Sequence, residues 1–134
     1  MKEKNLDIVA YVEELVYRAK KAQEIAEKYT QERVDELTAA IAYNGTRPDF
    51  AKELGYFAAE ESGIGKAEDK EAKMYTKIKG AYRDMKGERS VGVVERDDKK
   101  GIIKIAKPMG VIAGVVPSTN PEATPFVKSI FAIK

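Results

Sequence analysis

The run Pro117-Ser118-Thr119-Asn120-Pro121 is the part of this sequence with the clearest chemical use. Proline locks φ, so the flanking prolines stiffen the loop and would hold the Asn120 carboxamide in place. A preorganised amide N–H is what a developing oxyanion requires. Asparagine has a commoner use, which is to cap a helix through its side-chain oxygen. A helical pattern does follow, from about Glu122 toward Ile133. On spacing alone the cap is the more frequent outcome. Other catalytic sets are closed to the chain. With no cysteine and no histidine among its 134 residues, it holds no Ser-His-Asp or Cys-His arrangement, no disulfide and no thiolate zinc site. No metal site is expected.

The loop needs elements to aim it. Gly110-Val111-Ile112-Ala113-Gly114-Val115-Val116 is apolar on both faces, as a central parallel strand would be. Pro117 ends it. In doubly wound sheets ligands bind beyond the carboxyl ends of such strands, which is where Asn120 would lie. The chain upstream of Gly87 reads as helices. Val9, Val12, Val16, Ala19, Ala22, Ile25 and Ala26 recur at helical steps between Asp7 and Tyr29. Thr30 can cap a second helix, with Val34, Leu37 and Ile41 inward and Asn44-Gly45 as its stop. Pro48 suits a first helical turn; that third helix would turn Phe50, Leu54, Phe57 and Ala58 inward and stop at Gly63. A fourth spans about Ala67 to Met85, with Met74, Ile78, Ala81 and Tyr82 inward. Ser90 to Arg96 and Ile102 to Ala106 alternate in polarity around the turn cluster Asp97-Asp98-Lys99-Lys100-Gly101, which predicts an antiparallel hairpin with free edges.

The stretch from Lys107 to Pro121, containing Gly110-Val111-Ile112-Ala113-Gly114 and Pro117-Ser118-Thr119-Asn120-Pro121, resembles the start of the cofactor domain of the aldehyde dehydrogenase superfamily. It most resembles the coenzyme A-acylating branch, which includes the aldehyde half of bifunctional aldehyde-alcohol dehydrogenases. Ala22-Gln23, Thr30-Gln31-Glu32-Arg33-Val34-Asp35 and Glu60-Glu61-Ser62-Gly63-Ile64-Gly65 with Glu68-Asp69-Lys70 are similar to that branch's helical N-terminal region. Gly92-Val93-Val94 and Gly101-Ile102-Ile103 resemble its hairpin. CoA-independent members carry Pro-Trp-Asn where this chain has Pro-Ser-Thr-Asn, a departure that favours the acylating branch.

The resemblance implies an α/β fold: N-terminal helices over residues 1–87, a hairpin over 88–107 that serves oligomerisation, and the first strand, loop and helix of a doubly wound NAD-binding sheet over 108–134. It implies that Asn120 is the oxyanion donor and that the backbone of Val116, Pro117, Ser118 and Thr119 lines the nicotinamide end of an NAD site. The reaction implied is aldehyde, NAD and coenzyme A to acyl-CoA and NADH, with a nucleophilic cysteine outside this chain. Small aldehydes or acyl-CoA are then the ligands, and a homo-oligomer forms through the 90–106 hairpin. On this reading the chain is roughly the first quarter to third of a two-domain enzyme. A CoA-independent aldehyde or semialdehyde dehydrogenase, or a stand-alone helical interaction module, are the other readings weighed.

Composition agrees with a soluble globular domain: 43% hydrophobic and 34% charged residues, with 24 basic against 22 acidic side chains. That balance points to neither nucleic acid nor an anionic membrane. Met1-Lys2-Glu3-Lys4-Asn5 opens a charged stretch unlike a signal peptide, and the cytoplasm is expected. Glu60-Glu61 and Asp69 with Glu71 read as solvated helix faces, and Lys20-Lys21 and Lys99-Lys100 as ordinary surface charge. Gly63-Ile64-Gly65-Lys66 lacks the strand and glycine spacing of a phosphate loop. The first helix is expected to pack against its own domain.

Overall fold

A computed structural model describes residues 7–134; the run Met1–Asn5 read above lies outside them. The chain is α/β, with five helices and one two-stranded sheet among the described residues. Helix α1 covers Ile8–Ala26, and the Asp7 carboxylate caps it by accepting from the backbone N–H groups of Val9 at 3.1 Å and Ala10 at 3.2 Å. Helix α2 covers Gln31–Gly45, capped by the Thr30 hydroxyl, which accepts from the Arg33 N–H. Helix α3 covers Pro48–Ser62, with its proline at the start and Gly63 at φ 63° as its left-handed stop. Helix α4 covers Ala67–Met85, and α5 covers Thr124–Ile133.

Helices α2, α3, α4 and α5 enclose the core. Ala42, Ala51, Met74, Ile78, Ala81, Ala123 and Ile130 form one buried cluster, and Phe50 meets Phe126 edge-on at 5.9 Å beside it. On α4 the inward stripe is Met74, Ile78 and Ala81 as expected, with Tyr82 partly buried and Lys70 added to the stripe. Two inner faces differ from the sequence reading. On α3 the buried residues are Ala51, Gly55 and Ala58, while Phe57 points outward. On α2 they are Val34, Thr38, Ala42 and Gly45, with Leu37 and Ile41 only half-buried. Small residues win these positions because the helices cross closely. A Cβ on Gly55 would lie 2.7 Å from the Glu71 backbone nitrogen, and one on Gly45 would lie 2.7 Å from the Phe126 ring. Gly45 is therefore the last residue of α2 with an ordinary φ, not a left-handed stop.

This packing sets up a paired test. Gly55→Ala gains helix propensity but drives a methyl into backbone, and should lower stability by about 1–3 kcal/mol, the usual cost of overpacking. Gly80→Ala, also within a helix but with nothing near its Cβ, should raise stability by about 0.5–1 kcal/mol. Urea unfolding of the two variants checks both signs. Equal behaviour would mean that α3 and α4 are not in contact at Gly55.

Strands β1 (Gly92–Asp97) and β2 (Ile102–Ala106) pair antiparallel, with an irregularity between Val93 and Glu95. The Asp97 carboxylate accepts from the Lys99 and Lys100 N–H groups, both at 3.1 Å, and shapes the turn. Gln31, the first residue of α2, anchors the approach to the hairpin: its side-chain oxygen accepts from the Ser90 N–H at 2.8 Å and the Val91 N–H at 3.0 Å.

Two expectations need correction. The segment Val111–Val116 is not a strand: it has no ladder hydrogen bonds, and its valines are exposed. A parallel strand exists only beside a neighbour that supplies N–H and C=O partners, and the only other strands among the described residues, β1 and β2, pair with each other. Helix α1 also buries nothing and packs on no other element, so Ile8 stays 70% exposed. The other helices close their core without it, and its apolar stripe is left over.

Candidate functional site

The loop 117–121 runs from the exposed segment into α5 and lies across the first turns of α4. A turn closes it, with the Asn120 N–H donating to the Pro117 carbonyl at 3.3 Å. The Asn120 side chain does not cap α5. The residue at that helix's N-cap position is Ala123, and no side chain makes a cap bond there. Instead the Asn120 carboxamide oxygen accepts from the Lys73 ammonium at 2.8 Å, and its NH₂ donates to the Thr119 hydroxyl at 3.2 Å.

Helix α4 supplies a second hold. The Lys70 ammonium donates to the Thr119 carbonyl at 3.2 Å and sits 3.7 Å from the Glu122 carboxylate. Both side chains are removed from water, at 2% and 0% exposure. A buried charge needs a partner of opposite sign close by. Each of these supplies it to the other, which explains how Lys70 can lie in the inward row of α4. Among the described residues no group hydrogen-bonds the Glu122 oxygens, so the ion pair with Lys70 at 3.7 Å is what compensates that carboxylate.

Helix α5 is itself pinned at its far end. Lys134 pairs with Asp35 of α2. That hydrogen bond, aided by one from Gln31, holds the Asp35 carboxyl below its ordinary range despite partial desolvation. Beside the loop an open groove of about 670 Å³ runs along α4 and α5, lined in part by Lys73, Lys77, Asn120, Thr124, Lys128 and Phe131.

The structure thus brings Asn120 and Thr119 into one hydrogen-bonded set with Lys70 and Lys73. Val116, Pro117 and Ser118 lie exposed along the same loop. Lys73 is absent from the sequence reading, and Lys70 enters it only within the run Glu68-Asp69-Lys70, with no role at the site. They sit three residues apart among many solvated lysines, and nothing local marks them; only the packing of α4 under the loop singles them out. Among the described residues no group of acidic side chains has metal-site geometry, and no helix is long and apolar enough to cross a membrane.

This arrangement lies within a fold already known. Over 99% of its length the chain superposes on an acetylating aldehyde dehydrogenase from Geobacillus thermoglucosidasius, with a TM-score of 0.90 and 34% identity, covering 29% of that chain. A probable aldehyde dehydrogenase from Listeria monocytogenes gives the same TM-score at 32% identity, with 98% of this chain and 29% of that one covered. Over more than nine tenths of its length the chain is similar to a segment of acylating aldehyde dehydrogenases. Sequence similarity agrees. A sulfoacetaldehyde dehydrogenase (acylating) from Bilophila wadsworthia is 40% identical over 123 residues, 92% of this chain and 26% of that protein. The bifunctional aldehyde-alcohol dehydrogenase of Escherichia coli is 41% identical over 128 residues, 94% of this chain and 14% of that protein. No protein-family model matches the chain. It spans about a quarter or less of the length of these curated relatives.

Proposed function

We propose that the chain is the N-terminal segment of an NAD-dependent, CoA-acylating aldehyde dehydrogenase acting in the cytoplasm, in which aldehyde, NAD⁺ and CoA give acyl-CoA, NADH and a proton. The observation that carries this reading is the hold on Asn120. Its amide oxygen is occupied by Lys73, and one N–H is spent on Thr119. The second N–H has no partner among the described residues and is free to meet a substrate oxygen. An amide held this way needs no reorganisation when negative charge develops on that oxygen. The similarity to acylating enzymes supports the same assignment, as does the Pro-Ser-Thr-Asn loop in place of Pro-Trp-Asn.

The residues named for the cofactor suit one edge of a nicotinamide. The backbone groups of 111–116 make no hydrogen bonds among the described residues, and Val115 and Val116 present exposed apolar faces. An amide-bearing flat ring needs both features. Val116, Pro117, Ser118 and Thr119 would hold that edge, and NAD would supply the hydride acceptor. Asn120 would orient the aldehyde carbonyl and take up its charge. The attacking thiolate and the CoA-binding groups would come from outside this chain, which has no cysteine. Within this scheme residues 1–87, 88–107 and 108–134 are the helical support, the oligomerisation hairpin and the start of the cofactor sheet.

The test is a chimera. Residues 1–134 replace the matching segment of the Geobacillus acetylating enzyme, and the product is assayed for CoA-dependent NADH formation from acetaldehyde. Retained turnover is expected. A folded chimera that oxidises aldehyde equally well without CoA, or not at all, would sink the proposal.

The hairpin supplies a further prediction. Among the described residues it packs on no other helix or strand, and it exposes Val93, Ile102, Ile103 and Ile105 on a sheet with two free edges. Open edges and apolar surface of this kind invite pairing. The isolated chain should therefore self-associate, with light-scattering mass rising as concentration is raised. A cooperatively melting monomer at high concentration would count against an interface at 90–106.

A further inference from the structure

Helix α4 places Lys70 and Lys73 three residues apart, so their side chains leave the helix side by side. Both reach the same loop. Lys70 holds it on either side of Asn120, through the Thr119 carbonyl at 3.2 Å and the Glu122 carboxylate at 3.7 Å. Lys73 reaches Asn120 itself, 2.8 Å from the carboxamide oxygen.

The chemistry of that last contact decides the orientation of the amide. An ammonium has three donors and no acceptor, while a carboxamide offers one acceptor oxygen and two donor N–H groups. Turning the amide over would set the NH₂ against the ammonium, donor against donor. Lys73 therefore selects one of the two flips of Asn120 and directs its NH₂ away from α4. A cation on the amide oxygen also draws electron density from nitrogen, which makes the N–H groups stronger donors.

We propose that Lys73 is a positioning residue for Asn120, fixing and polarising its carboxamide so that the free N–H faces the substrate, with Lys70 clamping the loop beneath it. This rests on the oxyanion role proposed for Asn120, but its structural half can be tested without activity.

In the ¹⁵N-labelled 134-residue chain, the Asn120 side-chain NH₂ pair is assigned by its loss in Asn120→Ala. In the unmutated chain it should stand apart from solvated asparagines and show a nuclear Overhauser contact to the Lys73 side chain. Lys73→Met keeps the stem and removes the donor; it should return the pair to solvated positions. Lys73→Arg, which still donates, should preserve the shifted pair. An unmoved pair in a folded Lys73→Met chain overturns the proposal. So does the absence of the Lys73–Asn120 contact in the unmutated chain, a readout that survives if the variant fails to fold.

In the chimera, Lys73→Met should lower kcat roughly 10- to 100-fold, the scale of a small misplacement in an active site, with a lesser change in KM and recovery in Lys73→Arg. Loss of kcat in Asn120→Ala but not in Lys73→Met would defeat the positioning role alone. Normal kcat in both would defeat the oxyanion role as well.

Discussion

Mixed with short aldehydes, NAD and CoA, the 134-residue chain should form no NADH above a blank. Acyl transfer through a covalent intermediate needs a nucleophile and a group to activate it. The chain has neither cysteine nor histidine. The hydroxyls nearest the site are poor substitutes. Thr119 already accepts a hydrogen bond from Asn120, and the neighbouring ammoniums of Lys70 and Lys73 donate to the loop and are not bases in that state. Asn120 can stabilise charge, but it cannot create the bond that generates it. Absorbance at the NADH band over hours, with the chimera as positive control, is sufficient. Turnover by the purified chain would refute the assignment of the nucleophile to residues outside it.

Asn120→Ala in the chimera carries the other large effect. Removing one preorganised oxyanion donor lowers kcat by about 10²–10³, or roughly 3–4 kcal/mol of transition-state stabilisation. The KM for NAD should move less, because the amide acts where charge develops and not in ground-state binding. The structure sharpens this prediction. Asn120 makes no side-chain cap on α5, so the substitution removes no cap bond from that helix. It leaves the Lys73 ammonium without its carboxamide partner. A hydrogen bond to a charged group is worth about 1.5–3 kcal/mol net, but Lys73 lines the open groove and water can take the place of the lost partner, so the melting temperature should fall by less than that figure implies. A near-normal kcat with a clearly lowered melting temperature would mean that Asn120 serves the fold and not the reaction.

Local rules read directly from the residues account for much of the architecture. Thr30 capping α2, Pro48 opening α3, Gly63 closing it, and Asp97 and Gly101 shaping the hairpin turn each depend on one side chain and a few neighbouring peptide groups. Such interactions are complete within four or five residues, so sequence determines them. The loop bearing Asn120 was legible for the same reason, because two prolines and a run of small polar residues mark it.

Tertiary structure decided what depends on distance between elements. Whether α3 turns Phe57 or Gly55 inward is settled by how near α4 comes, and periodicity carries no such information. Gly45 does end α2, but with an ordinary φ, and the reason for glycine there is the close approach of Phe126. Val111–Val116 has the composition of a central strand, but strand identity requires a partner, which no single segment can encode. The stripe on α1 promised burial, yet the other helices closed without it. Lys70 and Lys73 are indistinguishable in sequence from the lysines around them. Their contacts arise only because α4 passes beneath residues 119–122, where the Lys70 ammonium meets a carbonyl and a carboxylate and the Lys73 ammonium meets the Asn120 carboxamide oxygen.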